Sequence, residues 1–198
     1  MICDSRKFIF TRVAKTGTTA IVNYLFPKKP NQHWKTHQNE INTKIKNWEN
    51  YDANHYPLYK VREVITKQKY NDYFKFGFVR NPYERCVSAW KYNMQNGYTD
   101  TKTTLFDFVK YLNKTDINCK YLNQYEFVDG CNFIGRFENL QEDFNSVCEK
   151  IGIPRQTLTH VNKTNHKHYT EYYDDETRKI VSEKYENDIE CLGYKFGE

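Results

Sequence analysis

The protein chain has 198 residues, and its 30 Lys and Arg against 25 Asp and Glu give a formal net charge of +5. This length fits one domain, residues 1–198, that buries about 70% of its unfolded surface and can hold a cleft. The positive charge suits the binding of a polyanionic small molecule or an acidic glycan. The sequence lacks the dense basic stripe of a dedicated nucleic-acid binder.

The first predicted unit is a strand, a turn and a helix. Residues 8–13 form a β-rich apolar run, and apolar residues recur at helical spacing over residues 20–25. Residues 14–19 therefore form a strand-to-helix turn, whose N–H groups and helix dipole favour a phosphate or a sulfate. Lys15 precedes the single glycine, Gly17, so the turn does not match a Walker A motif. Taken alone, the pattern is equally well explained as a plain polar turn.

A polar stretch and a helix follow along the chain. Residues 27–56 are the most polar part, and we interpret them as an insertion on the substrate side with a helix near residues 38–48. After Pro57, a helix over residues 58–69 is predicted because Leu58 and Val61 begin an apolar face at helical spacing.

A second segment is typical of a strand that ends in an anion-binding turn. Phenylalanines alternate over residues 74–78, and Arg80 comes shortly after them. Asn81 and Pro82 then predict the start of a helix. We expect Arg80 and Ser88 to face one ligand at the top of the sheet, because a guanidinium fork is the natural partner of a phosphate dianion.

The remaining elements complete an alternation of strands and helices. We predict a helix over residues 105–112, a short buried strand over 132–136, a helix over 140–151 that ends at Gly152, and a last helix from Asp175, as its N-cap, to near Cys191 that stops at Gly193. This alternation predicts an α/β fold with three layers: a central parallel sheet with helices on both faces. Its ligand should lie at the carboxyl ends of the strands.

The two turn segments together carry a family resemblance. Lys15-Thr16-Gly17-Thr18-Thr19 resembles the 5'-phosphosulfate loop of the sulfotransferases that use 3'-phosphoadenosine 5'-phosphosulfate (PAPS). The residues Arg80-Asn-Pro-x-x-Arg85-x-x-Ser88 resemble the 3'-phosphate motif of the same family.

The resemblance continues outside these motifs. Residues 134–144 and 172–196 are similar to the carbohydrate-type sulfotransferases of the Golgi and their microbial relatives, and Ala14 stands where that family often has proline. The resemblance implies a P-loop-like phosphosulfate-binding loop in the α/β fold, PAPS as the sulfuryl donor, adenosine 3',5'-bisphosphate as the product, and no metal.

The first motif is expected to serve the 5' side of the donor. Lys15 is our candidate for stabilising the charge that grows on the leaving oxygen, and the resemblance implies the same role. Thr16, Gly17, Thr18 and Thr19 should hold the 5' side through backbone and hydroxyl donors, with a simple helix cap as the alternative for any single one.

The second motif is expected to bind the 3'-phosphate through Arg80 and Ser88, the feature that separates PAPS from ATP. Arg85 either joins them or forms a buried structural ion pair. Arg136 resembles a position near the cofactor in the family, and a salt bridge to Glu138 is an equal alternative.

The general base is expected between the two motifs. His55 is our candidate, because imidazole has suitable basicity near neutral pH and carbohydrate-type sulfotransferases often place a histidine base in that region. His33, His37 and Glu63 compete for the role.

Other candidate sites are weaker. His160, His166 and His168 have no metal-ligand spacing and are interpreted as loop residues. Residues 162–167 are predicted, from the layout of the family, to close over the nucleotide. The six cysteines show neither C-x-x-C nor tight Cys/His spacing, which predicts reduced thiols and no metal site.

The sequence therefore predicts a sulfotransferase that moves a sulfuryl group from PAPS to a hydroxyl group, with a carbohydrate as the first candidate acceptor. One alternative is a P-loop kinase-like phosphotransferase, although no acidic residue stands in a clear Walker B context. A second is a non-catalytic module that binds anionic glycans. Without a long apolar stretch or a signal peptide, we expect a soluble cytoplasmic protein of microbial or viral origin, or a Golgi lumenal domain whose amino-terminal anchor was removed.

Overall fold

The computed structural model describes residues 1–26, 55–114, 121–159 and 167–198. The predicted helix at residues 38–48 lies outside these ranges. The chain divides into two compact units, one formed by Met1–Val79 and Asn118–Val161 and the other by Arg80–Ile117 and Asn162–Glu198. The prediction of a single domain stays a prediction, and each unit is described by itself.

The first unit contains a four-stranded sheet with the order β1-β2-β3-β4. Its strands are β1 (Ile2–Cys3), β2 (Phe8–Thr11), β3 (Phe74–Val79) and β4 (Phe133–Arg136). The strands β2, β3 and β4 are parallel, as predicted, and β1 is antiparallel to β2. The strand β1 was not predicted, because two residues are too few to show a period.

Helices cover both faces of this sheet, so the predicted three-layer α/β arrangement is confirmed. Alternate phenylalanines of β2 and β3 pack in one core cluster with residues of α1 (Thr18–Leu25) and of a later helix, Leu140–Ile151. Ile9, which points to the opposite face, packs with residues of α2 (Leu58–Val64). A further short helix, Gln124–Val128, was not predicted and contacts β3 and α2.

Two predictions for the first unit are corrected by the structure. The helix predicted over residues 58–69 is two helices, α2 and α3 (Lys67–Asp72), because Ile65 is extended and Thr66 starts a new helix by accepting a hydrogen bond from Lys69 N. The strand predicted over residues 132–136 is not buried as expected. Ile134 is 39% exposed on β4, the last strand of the described sheet.

The second unit is helical in its described part. In chain order, the first-unit helices Gln124–Val128 and Leu140–Ile151 are α6 and α7. The helices of the second unit are α4 (Pro82–Gln95), α5 (Leu105–Lys114), α8 (Asp175–Lys184) and α9 (Glu186–Leu192). Helix α8 packs against both α4 and α5. No helix within the described ranges is long and apolar enough to cross a membrane.

The last predicted helix needs two corrections. Its N-cap is Asp174 instead of Asp175, since the Asp174 carboxylate accepts a hydrogen bond of 2.7 Å from Thr177 N. It is also broken at Tyr185, which is buried beneath the Arg85 guanidinium. The predicted end at Gly193 is confirmed, and this glycine has φ 68.

Candidate active site

The predicted phosphosulfate loop follows β2 and leads into α1. Lys15 and Gly17 both adopt the left-handed region, with φ values of 69° and 74°. The hydroxyls of Thr16 and Thr18 each donate a hydrogen bond to the Val13 carbonyl, over 3.0 and 3.4 Å. These two hydroxyls therefore shape the turn from inside.

Gly17 is required by packing as well as by its backbone angle. A Cβ at this position would lie 2.7 Å from Leu140 Cδ2 and 3.2 Å from Phe137 Cδ2. Gly17 is also the N-cap of α1 and supplies no side-chain hydrogen bond to its first turn, while Thr19 in that turn is exposed. The turn thus leaves the positive end of a helix for an anionic ligand.

The structure brings His55 to the base of this loop. Its Nδ1 lies 2.9 Å from the carbonyl oxygen of Arg12, the residue that follows β2. A carbonyl can only accept, so Nδ1 must carry the proton and donate it. In the neutral ring the lone pair is then on Nε2, which is the form that a general base needs.

The competing bases are placed less favourably or lie outside the described residues. Glu63 is on the surface of α2, with its side chain 52% exposed and 3.3 Å from Lys60 Nζ. His33 and His37 lie outside the described ranges.

Arg136 lies at the carboxyl end of β4, paired in register with Val79 of β3. Its backbone N–H donates a hydrogen bond of 2.6 Å to the Asp143 carboxylate. Because β2, β3 and β4 are parallel, Arg136 is at the same edge of the sheet as residues 14–19. The role of Arg136 near the cofactor stays a prediction.

In the second unit, Arg80 directly follows the last residue of β3 and precedes helix α4. Its side chain is 8% exposed, and Nη2 lies 2.8 Å from the Glu84 carboxylate, four residues later. Ser88 is buried one further turn along the same helix. Glu84 and Ser88 are four residues apart on α4 and therefore share one face of this helix.

Arg85 takes the structural alternative of the two that the sequence left open. Its Nη1 lies 3.7 Å from an Asp188 oxygen, and both side chains are almost completely buried. The guanidinium also lies 5.4 Å from the centroid of the Tyr185 ring. A buried, paired guanidinium of this kind holds α4 and α9 together.

The weaker candidate sites gain no support. His168 is exposed and its Nδ1 is 2.8 Å from Thr170 Oγ1, while His160, His166 and residues 162–166 lie outside the described residues. The described part of the chain contains no group of side chains suited to hold a metal ion.

Two residues that bear on the site were missed in the sequence. Glu84 could have been found, because it stands in the first turn of the helix predicted after Asn81 and Pro82, only four residues after Arg80. Asn81 was identified as a helix start and as part of the second motif, but not as a contact of residues 195–198. Its side chain also donates to Lys195 O over 2.9 Å, a contact for which no local signal exists.

The chain was compared with known proteins. Residues 1–195 match the model of a family described as the sulfotransferase family. An uncharacterized protein of Archaeoglobus fulgidus is 28% identical over 133 residues, which is 63% of this chain and 99% of the relative. The fold is similar to that of mouse sulfotransferase SULT7A1, crystallised in complex with PAP, with a TM-score of 0.52 and 13% identity over 98% of this chain and 90% of the mouse chain. Since the family match spans almost the whole sequence, the chain belongs to the sulfotransferase family.

Proposed function

We propose that the protein transfers a sulfuryl group from PAPS to a hydroxyl acceptor, and that this acceptor is a carbohydrate. The observation that carries the proposal is the turn between β2 and α1, in which Lys15 and Gly17 adopt positive φ at the start of a helix. Membership of the sulfotransferase family supports the reaction. The PAP bound to the mouse protein of similar fold supports the donor.

Lys15 and the helix start serve the leaving group in this proposal. Sulfuryl transfer breaks the bond between sulfur and the bridging phosphate oxygen while the acceptor oxygen bonds to sulfur, and negative charge develops on the bridging oxygen. The ammonium of Lys15 stabilises that charge, and the N–H groups of residues 17–19 hold the 5'-phosphate. The lysine is therefore most important in the transition state.

His55 accepts the proton of the acceptor hydroxyl at Nε2. Its Nδ1–H donates to the Arg12 carbonyl, which fixes the ring orientation and selects the tautomer with a basic Nε2. Removal of the proton as the oxygen bonds to sulfur increases its nucleophilicity, and such catalysis contributes about 10²- to 10⁴-fold.

Arg80 and Ser88 bind the 3'-phosphate of the donor. Glu84 holds the guanidinium of Arg80 through an ion pair of 2.8 Å, so the arginine side chain is ordered before a ligand binds. Arg136, at the carboxyl end of β4, is proposed to contact the cofactor from the sheet edge.

The test is to incubate the protein with PAPS or with ATP and a panel of carbohydrate, peptide and alcohol acceptors. We expect release of adenosine 3',5'-bisphosphate that depends on a carbohydrate acceptor and is lost in Lys15→Ala. The matched control is Lys7→Ala, at an exposed lysine that also has positive φ, and this variant should retain turnover.

Each rival function predicts a different result. Consumption of ATP with phosphate transfer would support a kinase-like phosphotransferase. Binding of anionic glycans with no release of product from PAPS across the panel would support a non-catalytic binding module. Transfer only to peptides or simple alcohols would leave the reaction standing and overturn the carbohydrate acceptor.

A further inference from the structure

Asn81 is held at both ends of its amide side chain. The residue is 1% exposed, and its Oδ1 accepts a hydrogen bond of 3.1 Å from Tyr83 N, which caps the start of α4. Its Nδ2 donates to the main-chain oxygen of Lys195 over 2.9 Å, with longer contacts to the main-chain oxygen of Glu198 and the hydroxyl of Tyr169. One side chain therefore both starts the helix and binds residues 195–198.

The segment 195–198 is itself anchored by aromatic packing. The Phe196 ring lies 5.0 Å from the ring of Tyr83 and 5.5 Å from that of Tyr173, both edge to face. The Arg178 guanidinium lies 4.6 Å from the centroid of the Phe196 ring. Gly197 N also donates to Tyr169 Oη over 2.7 Å. The segment is thus a fixed part of the second unit that presents the Lys195 carbonyl to Asn81.

The position of Asn81 is coupled to that of Arg80. Arg80 is its immediate neighbour, and Glu84, the ion-pair partner of Arg80, lies in the first turn of the helix that Asn81 caps. Asn81 O also accepts the helical hydrogen bond from Arg85 N at 2.8 Å. A rotation of Asn81 would shift the guanidinium and its carboxylate partner together. Recognition of phosphate by a guanidinium depends on the direction of its hydrogen bonds.

We propose that Asn81 is a positioning residue for 3'-phosphate recognition and that residues 195–198 act through it to set the direction of the Arg80 guanidinium. This inference rests on the proposed role of Arg80 in donor binding. It assigns to the last residues of the chain a part in nucleotide selectivity, although they are separated in sequence from both phosphate motifs.

The test measures the dissociation constants of adenosine 3',5'-bisphosphate and adenosine 5'-phosphate by calorimetry. The ratio of the two reports on the 3'-phosphate alone, because both nucleotides share the 5' side. Asn81→Ser retains a capping hydroxyl and removes the amide donor, and Phe196→Leu loosens the segment without touching Asn81. We expect each variant to lower the preference for the bisphosphate about tenfold, the value of one well-aligned charged hydrogen bond, with adenosine 5'-phosphate affinity unchanged.

Lys195→Ala is the matched control, since Lys195 meets Asn81 through its main-chain oxygen, while its side chain is 78% exposed and forms a surface ion pair of 3.5 Å with Glu198. This variant should keep the ratio of the wild type. A fall in melting temperature with no change of ratio in Asn81→Ser and Phe196→Leu would show a structural role alone and overturn the inference. A changed ratio in Asn81→Ser with an unchanged ratio in Phe196→Leu would overturn the part assigned to the segment. If the wild type shows no preference for the bisphosphate, the proposed function has failed instead.

Discussion

The backbone of Lys15 leads to a prediction in which two variants differ in stability but lose activity alike. Lys15 has φ 69, and an L-residue in this region is strained by about 1–2 kcal/mol. Glycine is free of this strain, although its larger unfolded-state entropy offsets about 0.5–1 kcal/mol of the gain. Lys15→Gly should therefore be more stable than Lys15→Ala, which keeps the strain, by up to about 1.5 kcal/mol.

Urea unfolding of the two variants measures the difference in their free energy of unfolding. In thermal unfolding of a chain of this size, each kcal/mol would shift the melting temperature by about 2–4 °C. Both variants should lose turnover by roughly two orders of magnitude or more, because neither carries an ammonium for the leaving oxygen.

Lys7 provides the control for this prediction, since it is exposed and has φ 50. Lys7→Gly should gain stability over Lys7→Ala by a similar amount while turnover stays normal. A Lys15→Gly variant that is less stable than Lys15→Ala would refute the assignment of strain to this loop. Near-normal turnover in either Lys15 variant would refute the role of the ammonium.

Three further predictions follow from the geometry. Gly17→Ala should destabilise the fold by about 1–3 kcal/mol more than Gly97→Ala in urea unfolding, since both glycines have positive φ but only a Cβ at Gly17 meets other side chains. His55→Ala should lower turnover by about two to four orders of magnitude, and the wild-type rate should fall in acid, because a base must be neutral to take a proton. Burial raises the pKa of the Cys86 thiol to about 12, so at pH 8 it should resist iodoacetamide in the native protein while exposed Cys191 reacts, as peptide mass spectrometry would show.

Distinct results would contradict these three predictions. Equal destabilisation by the two glycine substitutions would mean that Gly17 is needed for its backbone angle alone. Loss of activity in Glu63→Gln with retention in His55→Ala would identify the carboxylate as the base. Alkylation of Cys86 as fast as Cys191 in the folded protein would show that its thiol is accessible.

The sequence predicted the parts of the fold that depend on local pattern. Alternating phenylalanines define β2 and β3 because a strand repeats every two residues, and Gly17 and Gly152 mark the turn and the helix end where φ is positive. The break at Tyr185 was not predictable, because the apolar spacing continues through it and Arg85, which contacts the Tyr185 ring, lies 100 residues earlier in the chain.

The site shows the same limit. Lys15 and Arg80 stand in recognisable motifs, whereas the partners that orient His55 and Asn81 are remote in sequence. The Arg12 carbonyl is 43 residues from His55, and Lys195 is 114 residues from Asn81. Both contacts use main-chain oxygens, which every residue carries, so no residue type marks them.

The central claim is that the protein recognises the 3'-phosphate of PAPS. The most direct test is a calorimetric titration of adenosine 3',5'-bisphosphate and of ADP into the wild type and into Arg80→Ala. The bisphosphate should bind the wild type at least about tenfold more tightly than ADP, and Arg80→Ala should lose roughly 2–5 kcal/mol of bisphosphate binding with little change for ADP. Equal affinities of the wild type for the two nucleotides, or an equal loss for both in Arg80→Ala, would contradict the claim.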